Sequence, residues 1–266
     1  PMLVAATTIL QSFYSSAIQD EKTEINPFYK LKELSSLVTK KKPSVKKITD
    51  LQWRFVIETA ENLAIKEPYT YERTLFVIVS MLNMYLRVSD FTPYKDELRK
   101  TETTPVMSDF YRTASGEWLF KALGKGNKER DIPVSNQMLK YLKRYRVYRG
   151  LTPLPTPGSS EVLLPMLGSS KPIRSENQIS NIVKDLFTKT VLSMNSQGFG
   201  SEAGELEHCS AHWMRHTGIT RDLKIRPREH VKQDAGHTSS TTTDKYDEAD
   251  LNERIHSSKT KTAFPD

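Results

Sequence analysis

The chain of 266 residues contains one cysteine, Cys209, so no internal disulfide framework can staple it and a reducing compartment is expected. A long apolar run is missing too. The most hydrophobic stretch, Leu75 to Leu86, falls well short of the roughly 20 residues that a membrane-spanning helix needs. The opening residues PMLVAATTIL have neither the basic flank nor the cleavage site of a secretory signal. The expectation is a cytoplasmic protein with no membrane partner. No internal repeat is visible, so the length points to one large domain, or one domain with a fragment of another.

Positive charge is what the chain has in excess. A formal net charge of +7 favours a polyanionic partner, although many soluble proteins share such a balance. Because the sequence opens on Pro1, it reads as a fragment whose natural start lies upstream.

Ile9, Leu10, Phe13 and Ile18 give an apolar helical face between Ala5 and Ile18 with no obvious partner nearby in sequence. A polar connection follows, carrying Lys40, Lys41, Lys42, Lys46 and Lys47. It is either a solvated linker or a strap laid across phosphates. Thr49 and Gln52 then form a capping box ahead of Trp53, Val56, Ile57, Ala60, Leu63 and Ala64 at helical spacing. After Pro68 a helix apolar on nearly every side is expected from about Tyr71 to Leu86, delivering Arg87 at its end.

The period then changes. Phe110, Trp118, Phe120, Ile132 and Val134 lie in short segments broken at Ser115-Gly116 and Gly124-Lys125-Gly126-Asn127, as three antiparallel strands joined by two turns would. Ser135 opens a helix with Met138, Tyr141, Leu142 and Tyr145 inward and Lys140, Lys143, Arg144 and Arg146 outward, closed by Gly150. A proline-rich loop, TPLPTPGSS, and a short apolar run from Val162 to Leu164 come next. Ser175 with Gln178 reads as a further capping box, for a helix burying Ile179, Ile182, Val183, Leu186 and Phe187. Ser193 to Glu205, rich in Gly and Ser, reads as a mobile loop, and Ser210 as the cap of the next helix. The fold class is mainly α with a small antiparallel sheet.

Several residues suit chemistry at a phosphate, which requires neutralised oxygens, a nucleophile and a proton donor for the leaving oxygen. Arg87 and Arg215 supply planar guanidinium groups able to grip two oxygens at once. Taken alone, Arg87 reads as a helix-terminal arginine favoured by the dipole; against that, Asp90 one turn on could hold its guanidinium in place. His212 and Arg215 share a helix face, yet a helical histidine is more often structural. His208, Cys209, His212 and His216 also raise a zinc site, but Trp213 stands where the hydrolytic motif needs a glutamate, so no metal is expected. Lys125 is either a solvated turn lysine or a proton donor. Tyr246, a phenol with a reference pKa near 10, is packing or surface unless cations activate it.

Taken in chain order, YLRVSD around Arg87, GKGNKERDIPV around Lys125, SAHWMRHTGIT around His212 and Arg215, AGH at His237 and TTTDKY ending at Tyr246 resemble the tyrosine recombinase, or phage integrase, family, which includes the Xer and Cre recombinases. The resemblance covers roughly Thr49 to the C-terminus. It implies a site-specific DNA recombinase in which Arg87, Arg215 and His237 bind the scissile phosphate. His212 assists proton transfer, Lys125 protonates the leaving 5′ oxygen, and Tyr246 attacks to give a 3′-phosphotyrosyl link. Asp90 matches the acidic residue supporting the first arginine.

The resemblance further implies no cofactor, no small-molecule substrate, double-stranded DNA recombination sites as partner, and a tetramer on two DNA sites. It suggests a bacterial or phage-encoded, DNA-associated protein. Residues 1–48 would be the last helix of a truncated DNA-clamping domain with its basic linker, and 49–266 the catalytic domain. The interval from Arg87 to Lys125 is longer than the family's, and the loop near Pro155 reads as an insertion. Leu251, Ile255 and Phe264 pattern a tail that docks either on a neighbouring protomer or on its own domain. Alternatives are a type IB topoisomerase-like enzyme and a catalytically silent DNA-binding relative.

Overall fold

The computed structural model describes residues 2–28, 47–96, 100–124, 128–236 and 251–262. The chain divides into two compact units, Pro1–Val45 and Lys46–Asp266. In the first, helix α1 (Met2–Gln19) is followed by a turn that folds back on it. The Gln11 side chain donates to the Phe28 carbonyl at 2.8 Å, and the Tyr14 and Phe28 rings meet at 5.4 Å. Ile9 and Phe13 on the apolar face are exposed.

The second unit opens with α2 (Asp50–Lys66). The Gln52 amide donates to Thr49 Oγ1 at 3.2 Å and the Thr49 amide to Gln52 Oε1 at 2.9 Å, so both halves of the capping box form. Helix α3 (Pro68–Asn83) starts with Pro68 in the first turn, where the missing N–H costs nothing, and it is buried along most of its length. It stops three residues short of the expected end. Tyr85 adopts a left-handed conformation (φ 53°), which no α-helix can continue. The strain is held by the rest of the fold: the Tyr85 hydroxyl bonds Asp222 and accepts from Arg226 Nη1 at 3.1 Å.

A 3₁₀ turn (Val88–Phe91) leads to a hairpin of β1 (Tyr94–Asp96) and β2 (Thr101–Thr103), paired Tyr94 to Thr103. The sheet beyond it has the three antiparallel strands the sequence predicts, β3 (Phe110–Arg112), β4 (Trp118–Gly124) and β5 (Lys128–Pro133), in that order. Phe120 pairs with Phe110 on one side and Ile132 on the other, which puts three buried side chains on the core face.

Helix α4 (Asn136–Tyr148) is capped by Ser135, whose Oγ accepts from the Met138 amide at 3.1 Å. Its polar face is not all solvated. Arg146, expected outward, is 1% exposed, and its Nε donates to the Thr152 carbonyl at 2.8 Å. A guanidinium can be buried here because carbonyls of the proline-rich loop accept from it. Helix α5 (Glu176–Ser196) begins after Ser175, but the Ser175 side chain makes no capping bond; its carbonyl accepts from the Gln178 amide instead. The expected loop from Ser193 to Glu205 is largely helical. α5 runs through Ser196, α6 spans Gly200–Ala203, and Ala203 and Leu206 are buried.

Helix α7 (Ala211–Asp222) packs on α3 and is followed by α8 (Arg228–Ala235), which Gly236 ends at φ 62°. Ser210 precedes α7 as its cap residue, again without a side-chain bond. The described part of the tail, α9 (Leu251–Ser258) and the residues to 262, packs on its own unit. Arg254 donates Nε and Nη2 to Asp234 Oδ1 at 2.9 and 2.6 Å, and the buried Lys261 lies with Nζ 4.2 Å from the centre of the Tyr85 ring. Among the described residues no helix is long and apolar enough to cross a membrane.

Candidate active site

The left-handed Tyr85 turns the chain sharply out of α3, and two residues later Arg87 enters the 3₁₀ turn in an extended conformation. The Arg87 amide donates to Asp90 Oδ2 at 2.8 Å. Asp90 is 5% exposed, and the same oxygen accepts from Arg130 Nη2 at 2.6 Å. This corrects the expected pairing: Asp90 holds the Arg87 backbone and the Arg130 guanidinium, where the sequence spacing suggested the Arg87 guanidinium. Burial, and then the like charge of Arg130, lower the Arg87 pKa.

Arg215 comes from α7 and is 2% exposed. Its Nη1 donates to the Tyr85 carbonyl and its Nη2 to the Ala235 carbonyl at 2.5 Å, so the guanidinium links the end of α3 to the end of α8. Burial first, and then repulsion from Arg87 and Arg130, push its pKa down to about 9. Of the three guanidiniums only that of Arg130 is paired with Asp90, and the mutual repulsion of Arg87, Arg130 and Arg215 is one that an anion in the site would relieve.

His212 sits one turn before Arg215 at a cleft of about 270 Å³ whose lining includes Met81, Arg87, Ser89, Ser210 and the exposed carboxylate Glu176. Its ring meets that of His216 edge to face at 4.5 Å. Burial first, and then the neighbouring charged groups, lower both histidine pKa values from the ordinary 6.5, which favours the neutral rings. A base with a depressed folded pKa binds fewer protons folded than unfolded. Its contribution is fully present above pH 6.5 and is lost as pH falls from 6.5 through the folded value. Thermal melts between pH 7 and 5 should therefore show a fall in melting temperature that the double variant His212→Gln/His216→Gln lessens. An unchanged pH dependence would refute this.

Lys125, His237 and Tyr246 lie outside the described residues, as do Lys40, Lys41, Lys42 and Lys46; Lys47 is described and exposed. The chain flanking two of these positions is described. Gly124 pairs with Lys128, so described strand residues lie on either side of the segment 125–127, and Gly236, which ends α8, precedes His237 in the chain. Arg130 is the residue that sequence reasoning overlooked. Its signal was a charged residue two positions before the buried Ile132, hence on the inward face of a strand. Among the described residues no group of three His, Cys, Asp or Glu side chains is arranged to hold a metal.

No protein-family model and no curated protein sequence matches the chain. Solved structures do. The integrase from mycobacterium phage Brujita aligns with a TM-score of 0.50 at 16% identity, over 97% of this chain and 71% of that one. The XerH site-specific recombinase, in a post-cleavage complex with a palindromic difH substrate, gives a TM-score of 0.55 at 18% identity over 83% of this chain. The fold is that of the tyrosine recombinases. A lambda integrase dimer bound to a COC′ core site gives a TM-score of 0.50 at 13% identity, over 92% of this chain and 74% of that one. The present chain spans 54% of the XerH chain. In this tyrosine recombinase fold, the β1–β2 hairpin occupies part of the long interval between Arg87 and Lys125.

Proposed function

We propose that this protein is a site-specific DNA recombinase that cuts and rejoins DNA through a 3′-phosphotyrosyl intermediate. The observation that carries the reading is the convergence of Arg87, Arg130 and Arg215 on a site with one buried carboxylate, beside His212, whose pKa burial lowers. A phosphodiester has one negative charge and its pentacovalent transition state two. A site with surplus positive charge therefore stabilises the transition state more than the ground state. Arg87 and Arg215 bind the nonbridging oxygens with His237, Tyr246 attacks, Lys125 protonates the departing 5′ oxygen, and His212 exchanges the tyrosine proton. Asp90 acts by holding Arg87. The energy of the broken bond is kept in the tyrosyl ester, so the chemistry calls for no cofactor.

Double-stranded DNA is the proposed partner: XerH and lambda integrase, whose folds this chain shares, were captured on their DNA sites. We read α1, with its open apolar face, as part of a DNA-clamping domain, and the lysines from Lys40 to Lys47 as a strap along the phosphates. Assembly as a tetramer on two sites completes the reading.

The test is covalent capture on nicked duplexes of randomised sequence, scored as adducts stable to detergent. Wild type should form an adduct, with the nucleotide mapped to Tyr246 by mass spectrometry, and Tyr246→Phe should form none. An adduct that survives in Tyr246→Phe removes the nucleophile assignment. Sequence-independent plasmid relaxation without strand exchange would move the protein to the type IB topoisomerases.

A further inference from the structure

Arg130 stands on β5 opposite the buried Ala122, and its side chain is only 10% exposed. Through Asp90 Oδ2, which also accepts the Arg87 amide, a single carboxylate oxygen joins β5 to the turn that presents Arg87. Arg130 also packs on the end of α8. A Cβ built on Gly236 would lie 3.1 Å from Arg130 Cδ and 3.4 Å from its Nη1, so the glycine backbone packs directly on this side chain. The residue before Gly236 is Ala235, whose carbonyl holds Arg215. Arg130 therefore touches both segments that place the two phosphate-binding arginines.

Fold stability alone does not account for it. The Arg130 Nε is buried without an acceptor among the described residues, and its charge lies close enough to Arg87 and Arg215 to oppose theirs. A buried donor with no acceptor among the described residues and three crowded cations both cost stability. An apolar side chain of similar length paired with a neutral residue 90 would avoid both.

We propose that Arg130 is a positioning residue of the cleavage site, which through Asp90 sets the Arg87 turn and through Gly236 sets the end of α8, so that Arg87 and Arg215 address one phosphate together. The inference rests on the DNA-cleaving function proposed above.

Arg130→Met and the charge-balanced double variant Arg130→Met/Asp90→Asn are compared with Arg130→Lys, which keeps the charge but not the planar fork. Three quantities are read: single-turnover adduct formation on a captured nicked duplex, equilibrium affinity for the same duplex, and melting temperature. Both methionine variants should cleave about 10²-fold more slowly, the scale of a lost transition-state donor. Their affinity should change by less than about threefold, and Arg130→Lys should recover part of the rate. The double variant should melt near wild type yet stay slow, which separates positioning from folding. Overturning results are cleavage within threefold of wild type in folded double variant, or a rate loss that tracks the unfolded fraction. A salt slope reduced by about 0.9 would also overturn it, since that signals a direct phosphate contact. If wild type forms no adduct on any duplex, the proposed function itself fails first.

Discussion

Arg215→Ala is expected to lower single-turnover DNA cleavage by about 10³-fold while leaving the protein folded, because an arginine clamping a transferring phosphoryl group is worth 10³ or more. The geometry separates the two effects. Two backbone carbonyls, from Tyr85 and Ala235, hold the guanidinium, so its direction is set before any substrate arrives. Removing it leaves those carbonyls without this donor, a loss of about 1 to 3 kcal/mol each at most. It also relieves the repulsion from Arg87 and Arg130 that, after burial, holds the Arg215 pKa down at about 9.

The sign of that shift says where the charge is useful. The folded protein disfavours protonated Arg215 at every pH below about 9, and an anion in the site offsets the penalty. Inorganic phosphate should therefore raise the melting temperature of wild type more than that of Arg215→Ala. Cleavage by the variant within tenfold of wild type would remove Arg215 from the mechanism. Arg215→Lys should fall between the two but closer to alanine, since one ammonium cannot bridge both carbonyls and still present a fork to the phosphate.

Part of this candidate site was legible in the sequence because it contains residue types that are costly to bury without cause. Arg87 stands out as a cation at the end of an apolar helix, with Asp90 one turn on, and His212 and Arg215 as two basic groups one turn apart on a helix. Their partners could not be read, since these are backbone atoms or come from distant strands. Asp90 three residues after Arg87 suggests a side-chain pair. Only the 3₁₀ turn shows that the carboxylate faces the Arg87 amide, which frees its charge for Arg130, forty residues away. The β1–β2 hairpin escaped notice because Thr101 to Thr103 are all exposed and have no apolar alternation.

Composition misled at residues 193–205. Gly and Ser frequency suggested a loop, while Phe199, Ala203 and Leu206 already lay at helical spacing, and the last two are buried. Arg146 shows the reverse error. A helix end with several cations looks solvated until the following loop supplies carbonyls to receive one of them.

Gly218→Ala should destabilise the second unit by about 3 kcal/mol, at the upper end of overpacking penalties, and should also slow DNA cleavage by about 10²-fold. Helix propensity alone predicts the opposite, since alanine is better than glycine in a helix by about 1 kcal/mol. Packing reverses the sign. A Cβ on Gly218 would fall 2.1 Å from the Leu82 carbonyl oxygen and 3.0 Å from its carbonyl carbon, and these are backbone atoms of α3 that no rotamer change can move. α3 and α7 would have to separate along the line on which they now touch. The neighbouring Thr217 Oγ1, which accepts from the Ile48 amide at 3.0 Å, shifts with α7, so the entry to α2 is disturbed as well. Arg215, on the same helix, reaches the Tyr85 carbonyl just beyond the end of α3, and a displacement of about 1 Å is enough to cost a reaction 10²-fold through misplaced groups. Urea titration measures the first effect and adduct formation the second. A variant as stable as wild type would mean that α3 and α7 do not pack as closely as the glycine implies, and the link between their separation and the aim of Arg215 would fall with it.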